Sequence, residues 1–138
     1  MSIKPRFGEE LLGGVKRFEL RRLFSLVEPG ALVFLYFTKP VGAVVGRFRA
    51  GVVFVVPVEN LRRLLAELGD VGVGAEDLQY VSGAKFAMLV EVREPRRCKS
   101  PVRLGELGLR PPPSYIKLDK RVGRRLLGLC DEDTGPEG

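Results

Sequence analysis

At 138 residues the chain has room for one domain and a sizeable core. Its composition, 45% hydrophobic and 29% charged, excludes a disordered chain, and its longest apolar runs, such as ALVFLYF, fall far short of a membrane span. With no histidine it also excludes every Ser-His-Asp or Cys-His catalytic device. The chain is basic, with 23 Lys and Arg against 17 Asp and Glu. Four of those acids (Asp131, Glu132, Asp133 and Glu137) stand in the closing DEDTGPEG, so the rest carries 23 against 13, a net +10. That balance points to a polyanionic partner.

In chain order, SIKP begins as a short strand. Pro5–Leu12 reads as a short helix stopped by Gly13-Gly14, with Phe7, Leu11 and Leu12 turned inward. Val15–Leu23 then alternates, yet neither face is clean. Val15, Arg17, Glu19 and Arg21 share one side, and Lys16, Phe18, Leu20 and Arg22 the other. EPG is a turn, and Ala31–Phe37 is a short β-branched and aromatic run, hence a buried strand. After the turn TKPVG, Val41–Val56 gives one long strand or two, broken near Gly46 or at Ala50-Gly51. VENLRRLLAELG is the clearest helix, with Leu61, Leu64, Leu65 and Leu68 on one face and Gly69 as its stop. GAEDLQYV reads as a second short helix and Ala84–Val92 as another buried strand. LRPPPSYIKL, with three prolines in line, is extended. DKRVGRRLLGLC closes the pattern as a basic helix, with Leu118, Val122, Leu126 and Leu129 on its apolar face. These elements predict an α+β fold, a small β-barrel of five to six strands with flanking helices.

The candidate chemistry sits in GGVKRFELRR. Glu19 and Arg21 share a strand face and can pair, and the guanidinium fork can also take a phosphate or stack on a base. Lys16, just after two glycines, offers a compact charge for phosphate, or a nucleophile or base. The plainer alternative is an ordinary surface salt bridge, worth about 0–1 kcal/mol. Thr38 and Lys39 end a buried strand at a possible cleft rim, and Ser114 and Tyr115 follow the prolines, where a tyrosine can stack on a base. Among the basic groups Arg47 and Arg49, Arg62 and Arg63, and those of the terminal helix, the loop cluster Arg96, Arg97 and Lys99 is the best candidate phosphate track. The stretch GVGAED imitates a phosphate loop but lacks G-x-G-x-x-G, and is set aside. Cys98 and Cys130 form no C-x-x-C, so neither a zinc site nor any cofactor is implied. A disulfide between them is a minority reading for a cytosolic chain, with hyperthermophiles the exception. A single Gln, a single Asn and an excess of Arg over Lys hint at a thermophilic source. The N-terminal stretch lacks an apolar signal core, which leads to the expectation of a cytoplasmic protein.

On these residues the chain resembles the ASCH domains, relatives of the PUA fold. The family's G-x-K-x-x-E-x-R signature stands complete as Gly14, Lys16, Glu19 and Arg21. YFTKPVGAVVGRF looks like its next strands and RPPPSYIKL like its closing P-P-x-S segment, so the likeness runs over residues 2 to 118. The resemblance implies a small PUA-like β-barrel whose motif lines a cleft beside the first helix. It also implies RNA or a nucleotide-like ligand, with a few family members acting as an amidohydrolase on acylated cytidine or as ribonucleases. In the amidohydrolase-like members the motif lysine acts with a threonine where Glu19 stands here, and that departure weighs against the same reaction.

The expectation is therefore an ASCH/PUA-like domain over 1–118, a basic helix over 119–130 and an acidic tail over 131–138. Its function is expected to be RNA or nucleotide binding at Lys16, Glu19, Arg21, Thr38, Lys39, Ser114 and Tyr115, with a basic patch at Arg96, Arg97 and Lys99. No membrane partner is expected. The alternative is a metal-independent hydrolase using Lys16 and Glu19.

Overall fold

Pro5 starts a helix after the two-residue strand β1 (Ser2–Ile3), because its fixed φ and missing N–H suit a first helical turn. This helix, α1, spans Pro5–Leu12. It leads through Gly13 and Gly14 to β2 (Phe18–Arg22), β3 (Leu32–Phe37) and the 15-residue β4 (Ala43–Pro57). The helices α2 (Leu61–Leu68) and α3 (Ala75–Val81) follow, then the 17-residue β5 (Phe86–Val102) and finally α4 (Lys120–Asp131). The computed structural model describes residues 1–132; the expected acidic tail lies outside the described residues from residue 133 onward.

The five strands form one sheet in the order β1-β3-β4-β5-β2, with β1 parallel to β3 and every other pairing antiparallel. The α+β architecture and strand number match the sequence expectation, but the backbone ladder does not close: β1 and β2 remain as its two edges. Register shifts at Leu35/Tyr36, Val44/Gly46, Arg47/Arg49 and Ala50/Val53 bend the long strands, as bulges do. Two of them lie where the sequence suggested a break in β4, which runs through both without interruption. Gly46 is needed for close packing, since a Cβ there would meet the Leu12 side chain at 2.7 Å and the Arg96 carbonyl at 2.9 Å.

Period-two alternation sorts the core. Val33, Leu35 and Phe37 of β3 join Leu11, Phe48, Met88 and Val90 in a cluster under α1. Leu89 and Ala87 of β5 turn the other way, to Phe18, Leu20, Leu61, Val71 and Val81 beneath α2 and α3. Phe34 and Val44 meet Leu126 under α4. There the structure joins Cys98 of β5 to Cys130 of α4, closing a span of 32 residues and pinning the terminal helix to the sheet.

One expectation is corrected. Arg96, Arg97 and Lys99 do not share a loop but lie within β5, which runs ten residues beyond its expected end at Val92. β2 covers β5 only along residues 87–91, so beyond that point β5 is an edge strand on one side. An edge accepts Pro95 and Pro101, the residues that argue against a strand in the sequence.

Candidate functional site

The turn after α1 aims Lys16 inward. The N–H groups of Val15 and Lys16 both donate to the Glu10 carbonyl, at 2.9 and 3.1 Å, folding the chain back beneath the helix. Arg17 and Phe18 then both donate to the Val71 carbonyl, which lays the Asp70–Gly74 loop over them. Only glycine fits at position 72, where φ is +80° and a Cβ would stand 2.4 Å from the Val15 carbonyl oxygen.

That loop delivers Asp77. Its Oδ2 accepts from the Gly74 N–H at 2.9 Å, capping α3, and its Oδ1 lies 2.8 Å from Lys16 Nζ. Lys16 Nζ is also 3.4 Å from Glu19 Oε1, and Glu19 Oε2 accepts from Arg21 Nη2 at 2.9 Å. Arg21 continues the chain of contacts, donating to the Ser2 carbonyl at 2.6 Å and to Ser114 Oγ at 3.3 Å. Ser2 in turn donates through its N–H to the Ser114 carbonyl at 2.7 Å and through its hydroxyl to the Pro112 carbonyl at 2.6 Å. Arg21, on edge strand β2, thus reaches edge strand β1 and the polyproline segment: a side chain spans the gap the backbone ladder leaves open.

This cluster is enclosed and charge-balanced. Lys16 is 1% exposed, Glu19 3% and Arg21 6%, and two cations face the two carboxylates Glu19 and Asp77. The nearby Met1 α-amine adds no charge at neutral pH, because burial, helped by Arg21, lowers its pKa to about 5. Buried charges survive only when paired, and removing one partner leaves the other costly. Lys16 thus offers a ligand no open face: its Nζ is already held by Asp77 and Glu19.

The structure brings four of the expected site residues together: Lys16, Glu19, Arg21 and Ser114. Thr38 and Lys39 lie apart, at the turn that carries the cis Lys39–Pro40 bond, with Lys39 exposed and the Thr38 N–H donating to the Ile3 carbonyl at 3.0 Å. Tyr115 follows Ser114 but turns away. Its hydroxyl accepts from the N–H groups of Phe24 and Ser25, at 2.8 and 3.2 Å, and donates to the Ser25 carbonyl at 2.8 Å, while its ring packs on Phe24. Asp77 was not among the expected residues. The only signal for it was the set-aside GVGAED, whose glycines serve a close backbone approach rather than a phosphate.

A second charged region lies on the α4 side of the sheet. The β4–β5 register sets Arg47 opposite Arg96 and Arg49 opposite Arg93, two like-charged cross-strand pairs, an arrangement that costs stability. Compensation is partial. Arg47 pairs with Asp131 at 3.2 Å but keeps a buried Nε without a partner among the described residues. Arg93 pairs with Glu91 at 2.9 Å, and the Val52 N–H and Arg93 hold the Glu91 carboxyl below its ordinary pKa. Among the described residues Arg49 donates to the Gly30 carbonyl at 3.0 Å, and neither it nor Arg96 has a carboxylate partner there. Arg97, the neighbour of Cys98, emerges on the opposite side of β5 and pairs with Glu9 of α1, so alternation divides the Arg96, Arg97 and Lys99 group between two faces. On α4, Leu126 and Cys130 are buried while Lys120, Arg121, Arg124 and Arg125 are exposed and meet no carboxylate among the described residues. Among the described residues no group of three or more Cys, Asp or Glu side chains is placed to hold a metal ion, and no helix is long and apolar enough to cross a membrane.

No family model matches the chain, and no curated protein does. Solved structures do. The crystal structure of ASCH from Zymomonas mobilis is 24% identical, covers 94% of this chain and 92% of its own, and superposes with a TM-score of 0.79. A tyrosine-to-phenylalanine and a serine-to-alanine mutant of that protein match equally well, each 23% identical with a TM-score of 0.79 and covering 95% and 93% of their own chains. This chain therefore has the ASCH fold, in agreement with the resemblance read from its motif.

Proposed function

We propose that this chain, built on the ASCH fold, binds RNA through the arginine-rich surface that β4, β5 and α4 share. The observation that carries this reading is the pair of cross-strand contacts Arg47–Arg96 and Arg49–Arg93 beside a helix with four exposed cations. Like charges set opposite one another cost folding stability, and a polyanion offsets that cost when it binds. Guanidinium forks engage phosphate oxygens in two places, while the lysine supplies a point charge. Lys16, Glu19, Arg21 and Asp77 act in this reading as the frame that ties β2 to β1 and to α3. The test is fluorescence anisotropy with a labelled single-stranded RNA across a salt series. About four phosphate contacts give a slope of log affinity on log salt near −3. A slope near zero, or no binding at low salt, contradicts the proposal.

A second reading places a nucleotide, or a hydrolytic step by Lys16 and Glu19, at the motif itself. Its support is one observation: Lys16 lies between two carboxylates, 2.8 and 3.4 Å away, beneath the seven-residue helix α3. In that reading α3 moves aside and ligand takes the place of Asp77. Asp77→Asn then raises nucleotide affinity or turnover, whereas in the frame reading it only destabilises the fold.

A further inference from the structure

A groove of about 760 Å³ lies between β3, the chain around Ser25–Ala31, the extended segment after Leu109 and α4. Its floor reaches the interior: Val33, Phe34, Val44 and Leu126 line it, each at most 9% exposed. Its lips carry Leu26 and Ile116, 56% and 51% exposed, which leaves apolar surface continuous from solvent to core. The rim is cationic, with Arg49, Arg110, Lys117, Lys120 and Arg124 against Glu28 and Asp119. Asp119 is already engaged as the cap of α4, accepting from the Val122 N–H at 2.8 Å. Arg110, Lys117, Lys120 and Arg124 meet no carboxylate among the described residues and are exposed.

These features select the occupant. A volume of this size matches small-molecule sites, which run from roughly 300 to 1,000 Å³. A floor this buried admits a slender chain and not the flat surface of a partner protein. The floor side chains Val33, Phe34, Val44 and Leu126 carry no hydrogen-bonding group for the polar edges of a nucleobase, which would lose their hydrogen bonds there. The excess of cations at the mouth selects negative charge at one end of the ligand. We propose that the groove binds a small amphiphilic anion, an aliphatic chain lying in the groove with a carboxylate or phosphate head among Lys117, Lys120 and Arg124. This site is separate from the motif cluster, and it shares Arg49, Lys120 and Arg124 with the surface proposed for RNA, whereas its apolar floor takes no part in that reading.

Isothermal titration calorimetry of the full chain with decanoate, decyl phosphate and decanol, below their aggregation concentrations, tests it. Both anions bind saturably at one site, and decanol binds about tenfold more weakly or worse. Position 123 supplies the blocking variant. Gly123 lines the groove, a Cβ there meets nothing within 4 Å, and leucine is the better helix former. Gly123→Leu therefore fills the groove without lowering the unfolding temperature, and affinity for both anions falls about tenfold or more. Reversing the rim with Lys117→Glu and Arg124→Glu weakens the anions and leaves decanol unchanged. Absence of saturable heat with both anions, decanol binding as tightly as decanoate, or unchanged affinity in Gly123→Leu would each overturn the proposal.

Discussion

The molecule holds two concentrations of charge, and they differ in every respect except residue type. Around Lys16, Glu19, Arg21 and Asp77 two cations meet two carboxylates, side chains are almost fully buried, and the hydrogen bonds run on into β1 and the polyproline segment. Across Arg47, Arg49, Arg93, Arg96 and α4 the cations outnumber their partners among the described residues, and most face solvent. Neutral, enclosed charge is what a fold uses to fix one arrangement of its parts. Exposed charge short of partners does not stabilise the fold, and the polyanionic ligand proposed above would account for it. The motif most visible in the sequence is thus built as an internal joint, and the surface proposed for ligand is spread over residues 78 positions apart, from Arg47 to Arg125.

The comparison breaks most readily at Glu19. Glu19→Ala leaves Lys16 and Arg21 buried without their shared carboxylate, and chemical denaturation should show a loss of about 3–5 kcal/mol. A loss below about 1 kcal/mol would mean the cluster is wet and open, as a ligand cleft would be. Next in size is the disulfide. Changing Cys98 and Cys130 together to serine frees a 32-residue span and should cost about 2–4 kcal/mol, with α4 losing amide protection before the sheet does. A smaller effect comes from Glu91. Its carboxyl is held below the ordinary value of 4.5 by the Val52 N–H and Arg93, so its contribution is present above that pH and is lost as pH falls through the depressed value. Glu91 is half-buried and its partner Arg93 is 61% exposed, so solvent screens the pair and Glu91→Gln should flatten the acid limb of the stability curve by about 1 kcal/mol or less. A large change there would move Glu91 from the surface class to the buried one.

The sequence made the frame legible where local rules decide it. The apolar periodicity of Leu61–Leu68, the glycine stop of α1 and the continuous β-branched and aromatic run of β3 each follow from nearest neighbours, and the structure has all three. The pairing of Glu19 with Arg21 followed from strand alternation, and the structure has it. The meeting of Lys16 with Glu19 did not, because alternation put them on opposite faces. The strand begins only at Phe18, and Lys16 precedes it in a turn. Asp77 was hidden for a related reason: it reaches Lys16 across 61 residues, through a loop that only Gly72 allows to lie so close. The extent of β5 was hidden by Pro95, which propensity reads as a break and an edge strand tolerates. The opposing arginines emerge only once register is known, since no spacing in the sequence links Arg47 to Arg96.

The most direct test of the division between joint and surface is to measure RNA affinity by anisotropy and thermal unfolding together, on the wild type and on a double variant carrying Arg96→Glu and Arg124→Glu. Both positions are exposed and free of carboxylate partners among the described residues, so the unfolding temperature should hold. RNA affinity should fall about tenfold or more, and the salt slope should lose about one to two units. RNA affinity unchanged from the wild type, with the fold intact, would contradict the account and return the search for a ligand to the enclosed cluster around Lys16.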